Sequence, residues 1–214
     1  MAVYDLEEQE QISEIKAWWE TYGKLVTTAV VVVAMSSVGW QGWNWYQRKQ
    51  ASEASLLYVT AVNAGSANDA QKVREAAGQL IEKHSGSVYA VLGALVAGKA
   101  QAEAGDYKNA AMMLAWVSEH GENQAVRDMA RLRLAAVQLD EGSFDAALAS
   151  LSADPLEDYR LAYADLKGDV LFAQGKPDQA RAAYAAALEL AASPNDAQIR
   201  ELIQAKLDAL GVAK

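Results

Sequence analysis

The chain has 214 residues, a length that suits one domain with short appendages. Its 19 Lys and Arg are scattered among 28 Asp and Glu, for a net charge of −9. This balance argues against a surface for nucleic acid or anionic lipid, because such surfaces need clustered cations. The absence of cysteine excludes disulfides, thiolate catalysis and cysteine-based zinc sites, but it selects no compartment.

Residues 1–24 are predicted to form a short acidic tail. Ile12, Ile15, Trp19 and Tyr22 recur at helical spacing, opposite glutamates. This pattern is compatible with an amphipathic helix on the membrane surface that leads into a span. It is equally compatible with a solvated acidic tail whose helix is frayed.

The 23 residues between Lys24 and Arg48 carry no charge, and they predict a transmembrane helix over residues 25–47. At ~1.5 Å per residue, about 20 residues cross a ~30 Å hydrocarbon core. The aromatic residues near its ends are predicted to lie at the two membrane interfaces: Trp18, Trp19 and Tyr22 before the span, and Trp40, Trp43, Trp45 and Tyr46 at its far end.

Two other interpretations of this segment are weaker. A cleaved signal peptide would have a shorter apolar region after a basic start, and a buried core helix would not remain uncharged for so long. Orientation stays open, because Lys16 and Lys24 precede the span while Arg48 and Lys49 follow it.

Residues 48–214 are predicted to form a helical-repeat domain. Gly105, Gly142 and Gly175, spaced 37 and 33 residues apart, each follow one predicted helix and precede another. A period near ~34 residues with helix–turn–helix units is typical of tetratricopeptide repeats. The fold class is therefore all-α: one N-terminal transmembrane helix followed by an α-solenoid of tetratricopeptide-like helix pairs. The alternative is an alanine-rich bundle without repeat geometry.

The repeats are placed near residues 89–118, 127–155 and 160–194. Tyr107 and Phe144 are expected to pack inward after the turns. Small residues are expected where the helices of a pair touch: Gly98, Ala135 and Gly168 in the first helices, and Ala110, Ala147 and Ala180 in the second.

The flanking helices are less regular. Residues 51–63 and 69–84 form a pair without the glycine signature. After Pro194, residues 195–210 are predicted to form a capping helix, with Asn195 or Asp196 as its N-cap, because a solenoid needs a cover for its last apolar face.

Catalytic motifs are lacking in the sequence, so we predict a non-enzymatic protein without cofactor or metal. His84 and His120 are expected at helix ends, where histidine usually bonds the last carbonyls. Asp165 and Asp169 lie four residues apart on one helix face, and this repulsion requires compensation. We expect Arg160 or a neighbouring helix to supply it in preference to a cationic partner.

The first helices of the repeats are predicted to line a concave face that binds segments of partner proteins. The residues of this concave face are Leu92, Leu95, Lys99, Leu132, Ala136, Leu139, Asp165, Asp169 and Phe172. For each apolar member, burial between repeats is an alternative of about equal weight.

The order and spacing of several short segments resemble the YfgM family, the ancillary subunit of the bacterial Sec translocon. These segments are Lys16-Ala17-Trp18-Trp19, Tyr22-Gly23-Lys24, Gly39-Trp40 with Trp43, Ala54-Ser55-Leu56-Leu57-Tyr58, Ala61-Val62, Leu132-Arg133-Leu134-Ala135, Asp145-Ala146-Ala147-Leu148, and Gly168-Asp169-Val170 with Gly175.

The resemblance implies an inner-membrane protein with its N-terminus in the cytoplasm and its repeats in the periplasm of a Gram-negative bacterium. It also implies association with the SecYEG channel and with PpiD, a membrane-anchored, isomerase-like chaperone. The implied role is to help exported polypeptides leave the translocon, without catalytic residues.

A different function compatible with the same repeats is a membrane-anchored adaptor for envelope or outer-membrane assembly. A hydrolase is the least favoured hypothesis, because the search for catalytic motifs finds none; it would require a pocket with converging titratable groups.

Overall fold

The computed structural model describes residues 3–193 and 196–211, with side chains from residue 10 onward. All regular structure in these ranges is α-helical. The helices are α1 (Val3–Ser66), α2 (Ala70–His84), α3 (Val88–Glu103), α4 (Tyr107–His120), α5 (Gln124–Glu141), α6 (Phe144–Ser150), α7 (Glu157–Ala173), α8 (Pro177–Leu190) and α9 (Ala197–Ala209).

The chain divides into two units, one ending at Ser52 and the other beginning at Glu53. The first unit consists of the larger part of α1. Within the described residues, α1 is the one helix long and apolar enough to cross a membrane. Its valine-rich stretch and its tryptophans are exposed in this unit.

Hydroxyl groups within the apolar stretch bond to the helix itself. Thr27 donates to the carbonyl of Gly23 at 2.7 Å, and Ser37 donates to the carbonyl of Val33 at 2.9 Å. Because lipid offers polar groups no partner, internal bonding of this kind is what a spanning helix requires.

The second unit is a row of helix pairs, each packed on the next. The last part of α1 packs on α2 through a cluster that includes Ala61, Ala64 and Ala77. Further along, α3 pairs with α4, α5 with the short α6, and α7 with α8. Buried alanines fill the contacts between these helices, since small side chains let helix axes approach closely. These residues include Ala61, Ala77, Ala97, Ala110, Ala135, Ala147, Ala180 and Ala187.

Three turns between paired helices share one geometry, with Gly105, Gly142 and Gly175 at φ values of 76°, 81° and 76°. Around Gly142, the amide of Ser143 donates to the carbonyl of Gln138 at 2.8 Å, and that of Gly142 donates to Leu139 at 3.0 Å. This pair of bonds closes a helix in a Schellman motif, whose left-handed residue favours glycine.

The turn after α1 repeats this geometry without a glycine. Asn68 has φ 56°, and the amide of Asp69 donates to the carbonyl of Ala64 at 2.9 Å. Asparagine tolerates the left-handed region better than most residues. The pair formed by the end of α1 and α2 was predicted to lack the turn glycine. It has the same turn geometry, with Asn68 in place of glycine.

Close approach of paired helices explains two glycines that do not lie in turns. A Cβ added to Gly168 would lie 2.3 Å from Cε1 of Tyr184, and one added to Gly98 would lie 2.8 Å from Cγ of Leu114. Both positions were predicted as helix contacts. Any larger residue there would force the two helices of the pair apart.

Helix α9 covers the last pair. Ile203 is fully buried against α7 and α8, in a cluster with Leu171 and Tyr184. Asp196 holds the N-cap position, but its carboxylate accepts from the amide of Ser193 at 3.0 Å and not from the helix. The other predicted features of this boundary, Pro194 and Asn195, lie outside the described residues.

Candidate partner-binding face

The apolar residues of the concave face differ in exposure. Leu92 is 36% exposed and Phe172 is 56% exposed, so both present apolar surface. Leu95, Leu132 and Leu139 are partly buried, because they pack against the clusters between neighbouring pairs. The structure therefore leaves two exposed apolar groups, of which Phe172 is clearly the more exposed.

The two acidic members of the concave face share one cation from within the chain. Nζ of Lys206, on α9, lies 2.8 Å from a carboxylate oxygen of Asp165 and 2.8 Å from one of Asp169. The hydroxyl of Tyr184 also donates to Asp169 at 2.7 Å. A neighbouring helix thus compensates the repulsion, whereas Arg160 pairs with Asp154 at 3.7 Å.

Burial and charge shift the pKa values in this network. Burial alone would lower the pKa of Lys206, but hydrogen bonds to Asp165 and Asp169 outweigh it, and the pKa is raised. Burial, followed by the bond to Asp169, raises the pKa of Tyr184. At neutral pH Lys206 is therefore charged and the phenol of Tyr184 is neutral.

A second polar junction, which the sequence did not suggest, forms around the fully buried Asp128 of α5. Its carboxylate accepts from Arg131 at 3.0 Å and from the amide of Leu156 at 2.9 Å. Its carbonyl accepts from the hydroxyl of Tyr163 at 2.9 Å. One residue thereby joins α5, the segment before α7, and α7 itself.

The histidines lie at the helix ends where they were expected. Nδ1 of His120 is 2.9 Å from the carbonyl of Trp116, and the two rings are stacked with centroids 4.6 Å apart. His84 is the last residue of α2. In the part of the chain that the structure describes, no group of three His, Cys, Asp or Glu side chains could hold a metal ion.

An apolar groove of about 450 Å³ lies between α3 and α5 and includes Lys99 and Ala136 of the predicted concave face; we call it the α3–α5 groove. Ala102, Leu114, Ala136 and Val137 form its floor, beside Gly98, and Lys99, Glu103 and Arg133 form its rim. Sequence reasoning placed Lys99 and Ala136 on this face but missed Arg133. Arg133 lies on α5, and a prediction that assigned one more exposed position to α5 would have placed Arg133 on this face.

The residues predicted at the membrane interfaces are all exposed in the first unit. Before the apolar stretch, the rings of Trp18 and Tyr22 are tilted, with centroids 5.7 Å apart. After it, Nζ of Lys49 lies 5.7 Å from the centroid of the Trp45 ring. Side chains with an apolar ring and a polar edge suit the boundary between lipid and water.

Helix pairs joined by repeated left-handed turns, with a final covering helix, define the class of tetratricopeptide-like α-solenoids. Consistently, the model of the tetratricopeptide repeat-like domain family matches residues 16–212. This confirms the predicted fold class, an all-α chain with one N-terminal membrane-helix candidate before a tetratricopeptide-like domain. The domain type suggests a non-catalytic adaptor.

Curated relatives match almost the whole chain, and each bears the name ancillary SecYEG translocon subunit. The relative from Neisseria gonorrhoeae is 31% identical over 96% of this chain and 98% of its own length. The one from Haemophilus influenzae is 30% identical over 80% of this chain and 84% of its own. The Escherichia coli K12 protein is 26% identical over 99% and 100%. No solved structure matches the chain significantly.

The chain belongs to the family of these relatives, the YfgM family, which confirms the resemblance noted in its sequence. Its apolar N-terminal helix fits a single-pass membrane protein.

Proposed function

We propose that this protein is a membrane-anchored scaffold and chaperone accessory at the Sec translocon, which helps exported proteins pass to periplasmic chaperones. The observation that carries the proposal is similarity over nearly the full chain to proteins named ancillary SecYEG translocon subunits. The domain type supports it, since tetratricopeptide-like solenoids offer an extended surface for other proteins.

The concave face is the proposed contact surface for partner segments. Leu92 and Phe172 supply exposed apolar groups and Lys99 an exposed charge, a mixture typical of peptide-binding grooves. Asp165 and Asp169 would act indirectly, because Lys206 already pairs with both. The proposed partners are the SecYEG channel, a chaperone of the PpiD type and exported polypeptides.

Purification of the intact protein from mild detergent tests this function. Recovery of SecY, together with a PpiD-type chaperone, is the expected result. Recovery of outer-membrane assembly proteins in place of SecY would reject the proposal. A chain shortened to end at Lys24 serves as the control for contacts made by the tail alone.

We also propose that the N-terminus is cytoplasmic and the repeat domain periplasmic. Because Lys16 and Lys24 balance Arg48 and Lys49, charge does not favour either orientation, and the proposal rests on the family. Alkaline phosphatase fused after residue 214 should be active, whereas a fusion after Lys24 should be inactive. The opposite pattern would reverse the proposed topology.

The tryptophans at the end of the apolar stretch are candidates for contacts with a channel or a partner's span. Changing Trp40 and Trp43 to Leu should preserve membrane insertion, because leucine keeps the segment apolar. If these rings contact SecYEG, less SecY should then be recovered. Unchanged recovery would show that the helix is only an anchor.

A further inference from the structure

The α3–α5 groove has a charge that contrasts with the rest of the chain. The whole protein carries a net charge of −9, yet the groove rim has two cations, Lys99 and Arg133, and one carboxylate, Glu103. A positive rim over an apolar floor is therefore a local feature that the overall composition does not predict.

The two cations of this rim form few interactions with other side chains of the protein. Lys99 lies 3.7 Å from Glu103, but the two side chains are 73% and 64% exposed, and such pairs are weak in water. Arg133 is exposed, and no hydrogen bond or ion pair joins it to another described side chain. A ligand carboxylate can therefore reach the guanidinium without displacing an internal partner.

The floor of the groove has a shape that suits a small apolar side chain. Ala102 and Ala136 contribute only methyl groups, so a depression remains beside Leu114, which packs against the backbone of Gly98. Leu114 is 2% exposed, which leaves the floor well packed from below. An alkyl side chain that entered here would meet apolar atoms on several sides.

The guanidinium of Arg133 limits which kind of ligand the α3–α5 groove can bind. Its planar guanidinium binds a carboxylate through two parallel hydrogen bonds, a geometry that lysine does not reproduce. A basic segment would meet Arg133 and Lys99 with only Glu103 in its favour. Nucleic acid and anionic lipid would face the field of an acidic protein beyond this rim.

We propose that the α3–α5 groove binds an acidic peptide segment, with an apolar side chain on the alanine floor and an adjacent carboxylate on Arg133, supported by Lys99. This inference rests on the proposed scaffold function and specifies the chemistry of the segment that one part of the concave face takes.

Binding of synthetic peptides to the full chain in lipid nanodiscs tests the proposal. The probes are fluorescein-labelled hexapeptides in which leucine alternates with aspartate or glutamate, and matched peptides in which lysine replaces every acidic residue. Fluorescence anisotropy at low ionic strength should show the acidic peptide binding at least about tenfold more tightly than the basic one. Equal or reversed preference, or no binding of either peptide, would overturn the proposal.

Three variants separate charge from shape. Arg133→Glu should weaken the acidic peptide at least about tenfold, and Arg133→Lys should weaken it less. Ala136→Trp should weaken it by filling the floor. The control, Lys72→Glu, makes the same charge change on an exposed residue of α2 away from the groove and should leave the affinity within about twofold.

Two further outcomes are informative. If Arg133→Glu changes the oligomeric state of the protein while peptide affinity stays the same, the groove belongs to a second copy and the proposal is wrong. If the wild type recovers no SecY but its peptide binding depends on Arg133, the proposed function fails while this inference holds.

Discussion

Gly142 lies in the left-handed region with open space around its Cα, so its conformation and not its size limits replacement. Gly142→Ala should therefore destabilise the protein by about 1 kcal/mol, the cost of a Cβ in that region. Gly78, in the interior of α2, also has no neighbour within 4 Å of an added Cβ, but its φ is helical. Gly78→Ala should stabilise by about 0.5–1 kcal/mol.

Urea unfolding of the two alanine variants measures these changes directly. Equal effects of the same sign would contradict the conformational explanation, because both changes add one methyl group in open space.

Among the polar residues, we expect replacement of Asp128 to lower the stability of the protein most. Asp128→Asn leaves one oxygen to serve both Arg131 and the amide of Leu156, so stability should fall by about 1–3 kcal/mol. Asp178→Asn is a matched control, since Asp178 also pairs with an arginine three residues later but is 89% exposed. Its effect in the same denaturation assay should stay below about 1 kcal/mol; a similar loss in both variants would refute the role of burial.

Some single residues could be predicted from the sequence and others could not. The turn glycines were predictable because few residues tolerate positive φ, so Gly105, Gly142 and Gly175 stand out at regular spacing. Asn68 was missed because asparagine also occurs in many ordinary turns. Asp128 was missed because two of its partners, Leu156 and Tyr163, lie 28 and 35 residues away in sequence, and a single sequence does not record such contacts.

At the scale of elements, α9 depends on both apolar and ionic contacts. Its predicted role as a cover agrees with the burial of Ile203, but the ionic link through Lys206 could not be read from spacing. The sequence revealed only that Asp165 and Asp169 needed a cation. Which of the 19 Lys and Arg residues supplies it depends on how α9 packs against α7.

Lys206→Met should destabilise the domain by about 1–2 kcal/mol, because it leaves two carboxylates without their shared cation in a partly buried site. Adding Asp165→Asn should recover part of the loss by removing the repulsion. Lys99→Met breaks the exposed pair with Glu103 and should change stability by less than about 0.5 kcal/mol. Thermal unfolding of the Lys206→Met, Lys206→Met/Asp165→Asn and Lys99→Met variants measures these changes. If the effects of Lys206→Met and Asp165→Asn on stability simply add in the double variant, the two residues do not interact as proposed.

At the scale of the whole molecule, the shifted pKa values predict a loss of stability in alkali. Burial raises the pKa of Tyr163 to about 12, whereas an unfolded tyrosine titrates near pH ~10. The neutral phenol of Tyr163 is therefore favoured by folding. Its contribution to the free energy of unfolding is complete below about pH 10 and is lost as the pH rises through about 12. Tyr184 and Lys206, whose pKa values are also raised, act in the same direction.

The free energy of unfolding should therefore fall between about pH 10 and 12, by about 2 kcal/mol for Tyr163 alone. Tyr163→Phe should be less stable at neutral pH, because the bond to the carbonyl of Asp128 is lost. Its stability should also depend less steeply on alkaline pH, as urea titrations at several pH values would show. Parallel curves for the variant and the wild type would exclude this contribution.

The short sequence separation between contacting helices also affects how the chain can fold during synthesis. The extensive helix contacts join elements that are adjacent or once removed along the chain. A growing polypeptide can therefore bury apolar surface as each new pair is completed, without waiting for its C-terminus. Each added pair would leave one temporary apolar face exposed to aggregation until the next helices cover it, and α9 covers the face left by α7 and α8.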